Sequence, residues 1–134
     1  MTTPTPYGLM GGEKAIQNLV DRFYFYMDTL PEAQGIRVIH QTNLDSAKLK
    51  LFKYLSGWLG GPNLYIEEYG HPMLRARHLP FSIGEAERDQ WMLCMNKALK
   101  EMTMDPQLKT NIQNALQQLA THMINQDPVN KDAN

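Results

Sequence analysis

A single cysteine, Cys94, stands among 134 residues, so no intrachain disulfide can staple the chain. The amino-terminal stretch lacks the basic residues and apolar run of a secretory leader, and a cytoplasmic protein is expected. No apolar run approaches the ~20 residues that a membrane-spanning helix needs. Charge of one sign is missing as well. With 13 basic and 14 acidic residues the formal net charge is −1, which offers no electrostatic footprint for nucleic acid or an anionic membrane. No internal repeat, low-complexity tract or linker-like shift in composition divides the chain. A single domain of this length buries roughly two-thirds of the surface its unfolded form exposes. Against these absences stand nine methionines and six tyrosines, side chains that line a cavity as readily as they fill a core.

The stretch from Trp58 to Phe81 has no long periodicity. Gly60, Gly61 with Pro62, Gly70 and Pro72 break it into short pieces, so neither a long helix nor an alternating strand fits. Arg75, Arg77 and His78 close its far end, with Pro80 and Phe81 behind them. A histidine held between turns is a candidate metal ligand, and the arginines are candidate partners for carboxylates. A surface histidine among charges is the competing reading. A segment of this length without its own core usually has a function.

Residues 1–10, with Pro4, Pro6 and no periodicity, are expected to form a flexible arm, and Gly11-Gly12 mark a turn. From Glu13, the positions Ile16, Leu19/Val20, Phe23/Tyr24, Met27 and Leu30 follow steps of three and four and predict an amphipathic helix. Tyr24 then points inward, either as a core tyrosine bonded to a carbonyl or as a donor to a ligand. Thr29 and Glu32 stand in capping-box register across Pro31, and a short helix is expected to reach Ile39, followed by His40. Asn43 or Asp45 caps the next helix, whose face carries Leu44, Ala47, Leu51, Tyr54/Leu55 and Trp58. The small Ala47 leaves a gap that serves either packing or entry. Beyond the broken segment, Ser82 and Glu85 predict a capping box, and Trp91, Met95, Ala98/Leu99 and Met102 a third long helix. An inward Trp91 needs an acceptor for its indole N–H. Asp105-Pro106 opens a last helix along Leu108, Ile112, Ala115/Leu116, Leu119 and Met123, fading near Asn125. The expected domain therefore spans residues 11–125, with a polar tail over 126–134.

Gly11-Gly12, Phe23-Tyr24, W-L-G-G-P at 58–62, H-P-M-L-R-A-R-H-L-P-F at 71–81 and E-R-D-Q-W at 87–91 together resemble the truncated (two-over-two) haemoglobins of group II, over about residues 11–124. The resemblance implies an all-α two-over-two helical sandwich with an irregular proximal loop enclosing haem. It implies haem b (iron protoporphyrin IX) held by His78 as proximal iron ligand, and Tyr24 and Trp91 as distal donors to bound ligand. His40 is similar to the distal residue that the family varies among Phe, Tyr and His, which makes it a candidate third donor to bound ligand. Ala47 matches the position where many globins place a distal histidine, and Leu51 forms the pocket ceiling one turn on. Tyr65 and Arg77 match positions near the haem propionates. Phe23, Phe81 and Met95 complete the expected pocket, Met95 as a packing residue rather than a second axial ligand. Cys94 is not part of a C-x-x-C-H pattern, so covalent haem attachment is not expected.

Such a protein binds dioxygen, carbon monoxide or nitric oxide reversibly, in an oxygen-binding, transport or sensing role. The same residues also suit a redox enzyme, a nitric oxide dioxygenase or a peroxidase-like activity on peroxide, served by an external, unidentified reductase. Whether the chain is an enzyme stays open at this point. A haem-free helical interaction module is the third class, and a strong Soret band excludes it. In the resting iron, either Tyr24 or His40 is a candidate sixth ligand.

Overall fold

The computed structural model describes residues 4–125, and among them the chain is helical with no strand. The four predicted stripes become the four long helices. α2 (Glu13–Thr29) buries Ile16, Leu19, Val20, Phe23, Tyr24 and Met27. α4 (Asp45–Trp58) buries Phe52, Leu55 and Ser56, with the Ser56 hydroxyl donating to the Phe52 carbonyl at 2.8 Å. α7 (Glu85–Lys100) and α8 (Pro106–His122) supply the other side of the core. α2 packs on both α4 and α7, and α7 packs on α8, giving two helical pairs laid over one another. Ile16, Phe23, Leu55, Met95, Leu99 and Leu116 lose essentially all exposure where these faces meet. Full burial of side chains this size contributes about 1.5–3 kcal/mol each.

In place of the flexible arm expected over residues 1–10, Pro6–Met10 form a short helix, α1. Thr5 caps it, accepting a hydrogen bond from Gly8 N–H at 3.2 Å, and Pro6 occupies the first helical turn. The Tyr7 N–H donates to the Leu59 carbonyl at 2.9 Å, and Met10 is buried. The Gly60-Gly61 turn receives this helix. A Cβ on Gly61 would stand 2.6 Å from the Tyr7 ring, and one on Gly60, whose φ is +97°, would stand 2.8 Å from Thr5. Residues 1–3 of the expected arm, and the expected tail at 126–134, lie outside the described residues.

The connections also differ in detail from their sequence signals. After Pro31–Ala33, a 3₁₀ turn, α3 (Gln34–Arg37) stops short of Ile39. The Thr29–Glu32 capping box does not form, because the Thr29 hydroxyl donates back to the Phe25 carbonyl at 2.8 Å. The cap of α7 falls on Gly84 rather than Ser82. The Glu87 carboxylate accepts from Gly84 N–H at 2.7 Å, two residues later than the predicted register. Asn43 does serve α4, accepting from Asp45 N–H at 2.8 Å, and Asp105 caps α8 through Leu108 N–H at 3.1 Å. The broken segment holds two short helices, α5 (Leu64–Tyr69) and α6 (Leu74–His78). Met73, with φ of 44°, turns the chain between them.

Candidate functional site

The helices enclose a cavity of about 690 Å³, within the roughly 300–1,000 Å³ range of cofactor and small-molecule sites. Tyr24 from α2, His40 after α3, Ala47 and Leu51 from α4, and Trp91 from α7 all reach its wall. So do Tyr65 from α5, Arg77 and His78 from α6, and Phe81 just beyond. Phe23 and Met95, expected in the pocket, do not line it. Both are fully buried in the core, because each lies on the part of its helix where α2 meets α7. Phe23 nevertheless supports the wall from behind, its ring 4.8 Å from Tyr24 and 5.0 Å from Trp91.

The two histidines of the cavity are held alike. The His78 Nδ1 lies 2.6 Å from the Leu74 carbonyl, one turn back in α6. A carbonyl only accepts, so Nδ1 carries a proton, and in the neutral ring Nε2 then holds the lone pair that metal ligation requires. His40 Nδ1 donates to the Ile36 carbonyl at 2.9 Å. Its Nε2 is therefore an acceptor while the ring is neutral. Burial lowers the His40 pKa, and nearby Arg37 and His78 act in the same direction, while the Ile36 bond opposes them. The ring is neutral near pH 7.

Tyr24 is 5% exposed. Its hydroxyl lies 3.5 Å from the Ala47 carbonyl, beyond the usual 2.5–3.0 Å of an O–H···O bond, so its proton is only weakly engaged by the protein. Burial pushes the phenol pKa well up, and Tyr24 remains a neutral donor. Its ring stands edge-on to His40 at 5.9 Å.

At the margin of the cavity, the Arg77 guanidinium donates to the Tyr69 carbonyl at 3.3 Å and sits 5.8 Å from the Tyr65 ring. Lys50 also lines the cavity, 5.9 Å from the Tyr69 ring. No sequence signal singles out Lys50, although its place one turn beyond Ala47 on α4 sets both on one face. Tyr54, which its spacing assigns only to the helix face, reaches the cavity too. Arg88 and Glu87 border it as well, but Arg88 is paired with Asp89 at 2.8 Å and Glu87 is engaged in the α7 cap.

Among the described residues, no three His, Cys, Asp or Glu side chains gather to hold a bare metal ion. A metal on His78 must therefore bring its remaining ligands with it, as a macrocycle does. The donor set, the cavity and the cations at its margin fit such a group.

The family model for bacterial-like globins matches residues 5–125. The group 2 truncated hemoglobin YjbI of Bacillus subtilis is 38% identical over 121 residues, covering 90% of this chain and 89% of that protein. Among solved structures, a cold-adapted truncated hemoglobin from Pseudoalteromonas haloplanktis TAC125 superposes with a TM-score of 0.90 at 45% identity, covering 92% of this chain and 100% of the other. A group II 2-on-2 hemoglobin from Agrobacterium tumefaciens gives 0.91 at 45% identity, over 95% and 98%. With its two helical pairs and its cavity histidine on α6, the chain belongs to the bacterial-like globin family, among the group II truncated (two-over-two) haemoglobins.

Proposed function

We propose that this globin binds dioxygen and related diatomic ligands reversibly on a haem b held by His78, with Tyr24 and Trp91 as the donors to ligand. Haem binding follows from the family; the residues and the ligand are our reading. The observation that carries it is the His78 ring, whose Nδ1 is spent on Leu74 and whose Nε2 is left for iron, in the same cavity as an O–H and an N–H donor. When bound, haem supplies an iron that holds a diatomic ligand and shifts electron density onto it. The chain supplies the rest.

Tyr24 and Trp91 can donate toward negative charge in a largely apolar wall, each bond stabilising it by roughly 1–3 kcal/mol. The weak 3.5 Å contact with Ala47 means that Tyr24 gives up little to do so. His40, neutral with its proton on Nδ1, presents an acceptor to the cavity rather than the third donor expected from sequence. It suits orienting a hydroxyl or a water more than holding a ligand's negative end. Ala47 adds no bulk where a larger side chain would narrow the cavity. Lys50 and Arg77, without carboxylate partners among the described residues, suit the propionates at the margin. Cys94 is buried in the core and does not reach the cavity, consistent with haem that is not covalently attached.

Stopped-flow dissociation of dioxygen and carbon monoxide from Tyr24→Phe, Trp91→Phe and the double variant tests this reading. Each single change is expected to speed dioxygen release by about 5- to 150-fold, from roughly 1–3 kcal/mol per bond. The double variant should fall short of the product of the two, because both donors share one acceptor. Carbon monoxide, with less charge on its outer atom, should respond less. Equal effects on both gases would mean that the two residues act by bulk, and no effect from either would remove them as donors.

A further inference from the structure

We propose that Asn125 is a positioning residue for the proximal histidine, clamping the turn after His78 to the end of α8. The proposal rests on the reading of His78 as the iron ligand. His78 is the last residue of α6, a helix of only five residues. Its ring is fixed by Leu74, but a helix this short does not by itself hold its last residue in place.

The turn between His78 and Ile83 is held by a side chain that lies 42 to 47 residues further along the chain. Asn125 Nδ2 donates to the His78 carbonyl at 3.2 Å and to the Phe81 carbonyl at 2.7 Å. Its Oδ1 accepts from Ile83 N–H at 2.9 Å, and its own backbone N–H donates to the Ile83 carbonyl at 2.8 Å. The three side-chain bonds use both hydrogens of the amide and one lone pair of its oxygen, and all three agree on which atom is nitrogen. The His78 carbonyl also accepts from Phe81 N–H at 3.0 Å, so its second lone pair is filled by Asn125.

The amide is chemically specified. Aspartate is nearly the same size but offers no donor and sets a charge against two carbonyls, and alanine takes the Asn125 partner from the Phe81 carbonyl and the Ile83 N–H and leaves the His78 carbonyl with Phe81 N–H alone. Met123 and Ile124 continue the last turn of α8, donating to Ala120 and Thr121, and so carry Asn125 to the α6 turn. A shift of α8 at this end is therefore transmitted to the backbone of His78. Asn125 itself does not line the cavity, whereas His78, Phe81 and Ile83, to which it bonds, do, so it acts through them and not on a ligand.

The test compares Asn125→Ala and Asn125→Asp with Asp105→Ala, which removes a cap bond at the other end of the same helix. In the haem-loaded ferrous protein, the iron–histidine stretching band should shift and broaden in both Asn125 variants. Haem release to excess apomyoglobin should be roughly 5- to 150-fold faster, as the loss of about two hydrogen bonds implies. Asp105→Ala should leave band and release rate as in the wild type. A wild-type band and release rate in both Asn125 variants, or equal changes in Asp105→Ala, would overturn the proposal. Hydrogen exchange at the Ile83 amide of the haem-free chain tests the clamp without the cofactor. Faster exchange in Asn125→Ala supports it and unchanged exchange refutes it. A wild-type chain that takes up no haem would instead overturn the haem reading.

Discussion

His40 and His78 line one cavity in the same tautomer, and that tautomer bears differently on the role proposed for each. Both spend Nδ1–H on a carbonyl one turn earlier, Ile36 and Leu74 respectively. At His78 this leaves the lone pair that an iron needs, whereas at His40 it removes the donor that the sequence suggested. Sequence alone does not decide a tautomer, because the deciding partner is a backbone carbonyl whose position depends on the helix turn. The lowered pKa of His40 has a measurable consequence for stability. The unfolded ring takes up a proton near its ordinary value of 6.5 while the folded ring resists it. The contribution of His40 is therefore fully present above that pH and is lost as pH falls through the folded value. Urea unfolding of the wild type and His40→Gln, followed from about pH 7.5 to about pH 5, should show the difference in midpoint narrowing or reversing as pH falls below about 6.5. A constant difference would mean that the ring protonates equally in both states.

Among the elements, α2, α4, α7 and α8 are legible in the sequence because each carries an apolar stripe at steps of three and four over at least three turns. α1 is not, because five residues hold no period. Its one local signal, Thr5 before Pro6, is a cap and first position that a stretch so short does not distinguish from a broken arm. What makes the helix stable is tertiary: Tyr7 lies on the Gly60-Gly61 turn and bonds to Leu59. Gly61→Ala should therefore expel Tyr7, since the new Cβ would meet the ring at 2.6 Å. We expect a loss of about 1–3 kcal/mol in chemical unfolding, with faster proteolysis ahead of Gly11 than in the rest of the chain. Unchanged stability and cleavage would mean that α1 docks without this contact. The α7 cap shows the other limit of local reading. Ser82 and Glu85 match a capping box by spacing, yet Gly84 and Glu87 form the cap, and the bonds of Ile83 to Asn125 fix the turn just before it.

For the molecule as a whole, the folding problem and the binding problem share one cavity. The helical pairs pack tightly where α2 meets α7, yet leave about 690 Å³ bordered by α4, α5, α6 and the loop carrying His40. A ligand that fills this space binds the folded chain and not the unfolded one, so haem uptake should also stabilise the fold. Residues that mark the cavity by type, His78, Tyr24 and Trp91, are legible through the motifs around them. Lys50, Tyr54 and Asn125 are not, because their part depends on which face turns inward or on backbone atoms distant in sequence. Everything proposed for the cavity depends on one claim, that His78 holds the iron. The most direct measurement is the haem content and absorption spectrum of purified wild type and His78→Gly, with and without added imidazole. The wild type should show a strong Soret band at one haem per chain. His78→Gly should lose haem, or keep it with an altered ferrous spectrum that imidazole restores. Unchanged haem content and an unchanged spectrum in His78→Gly would contradict that claim.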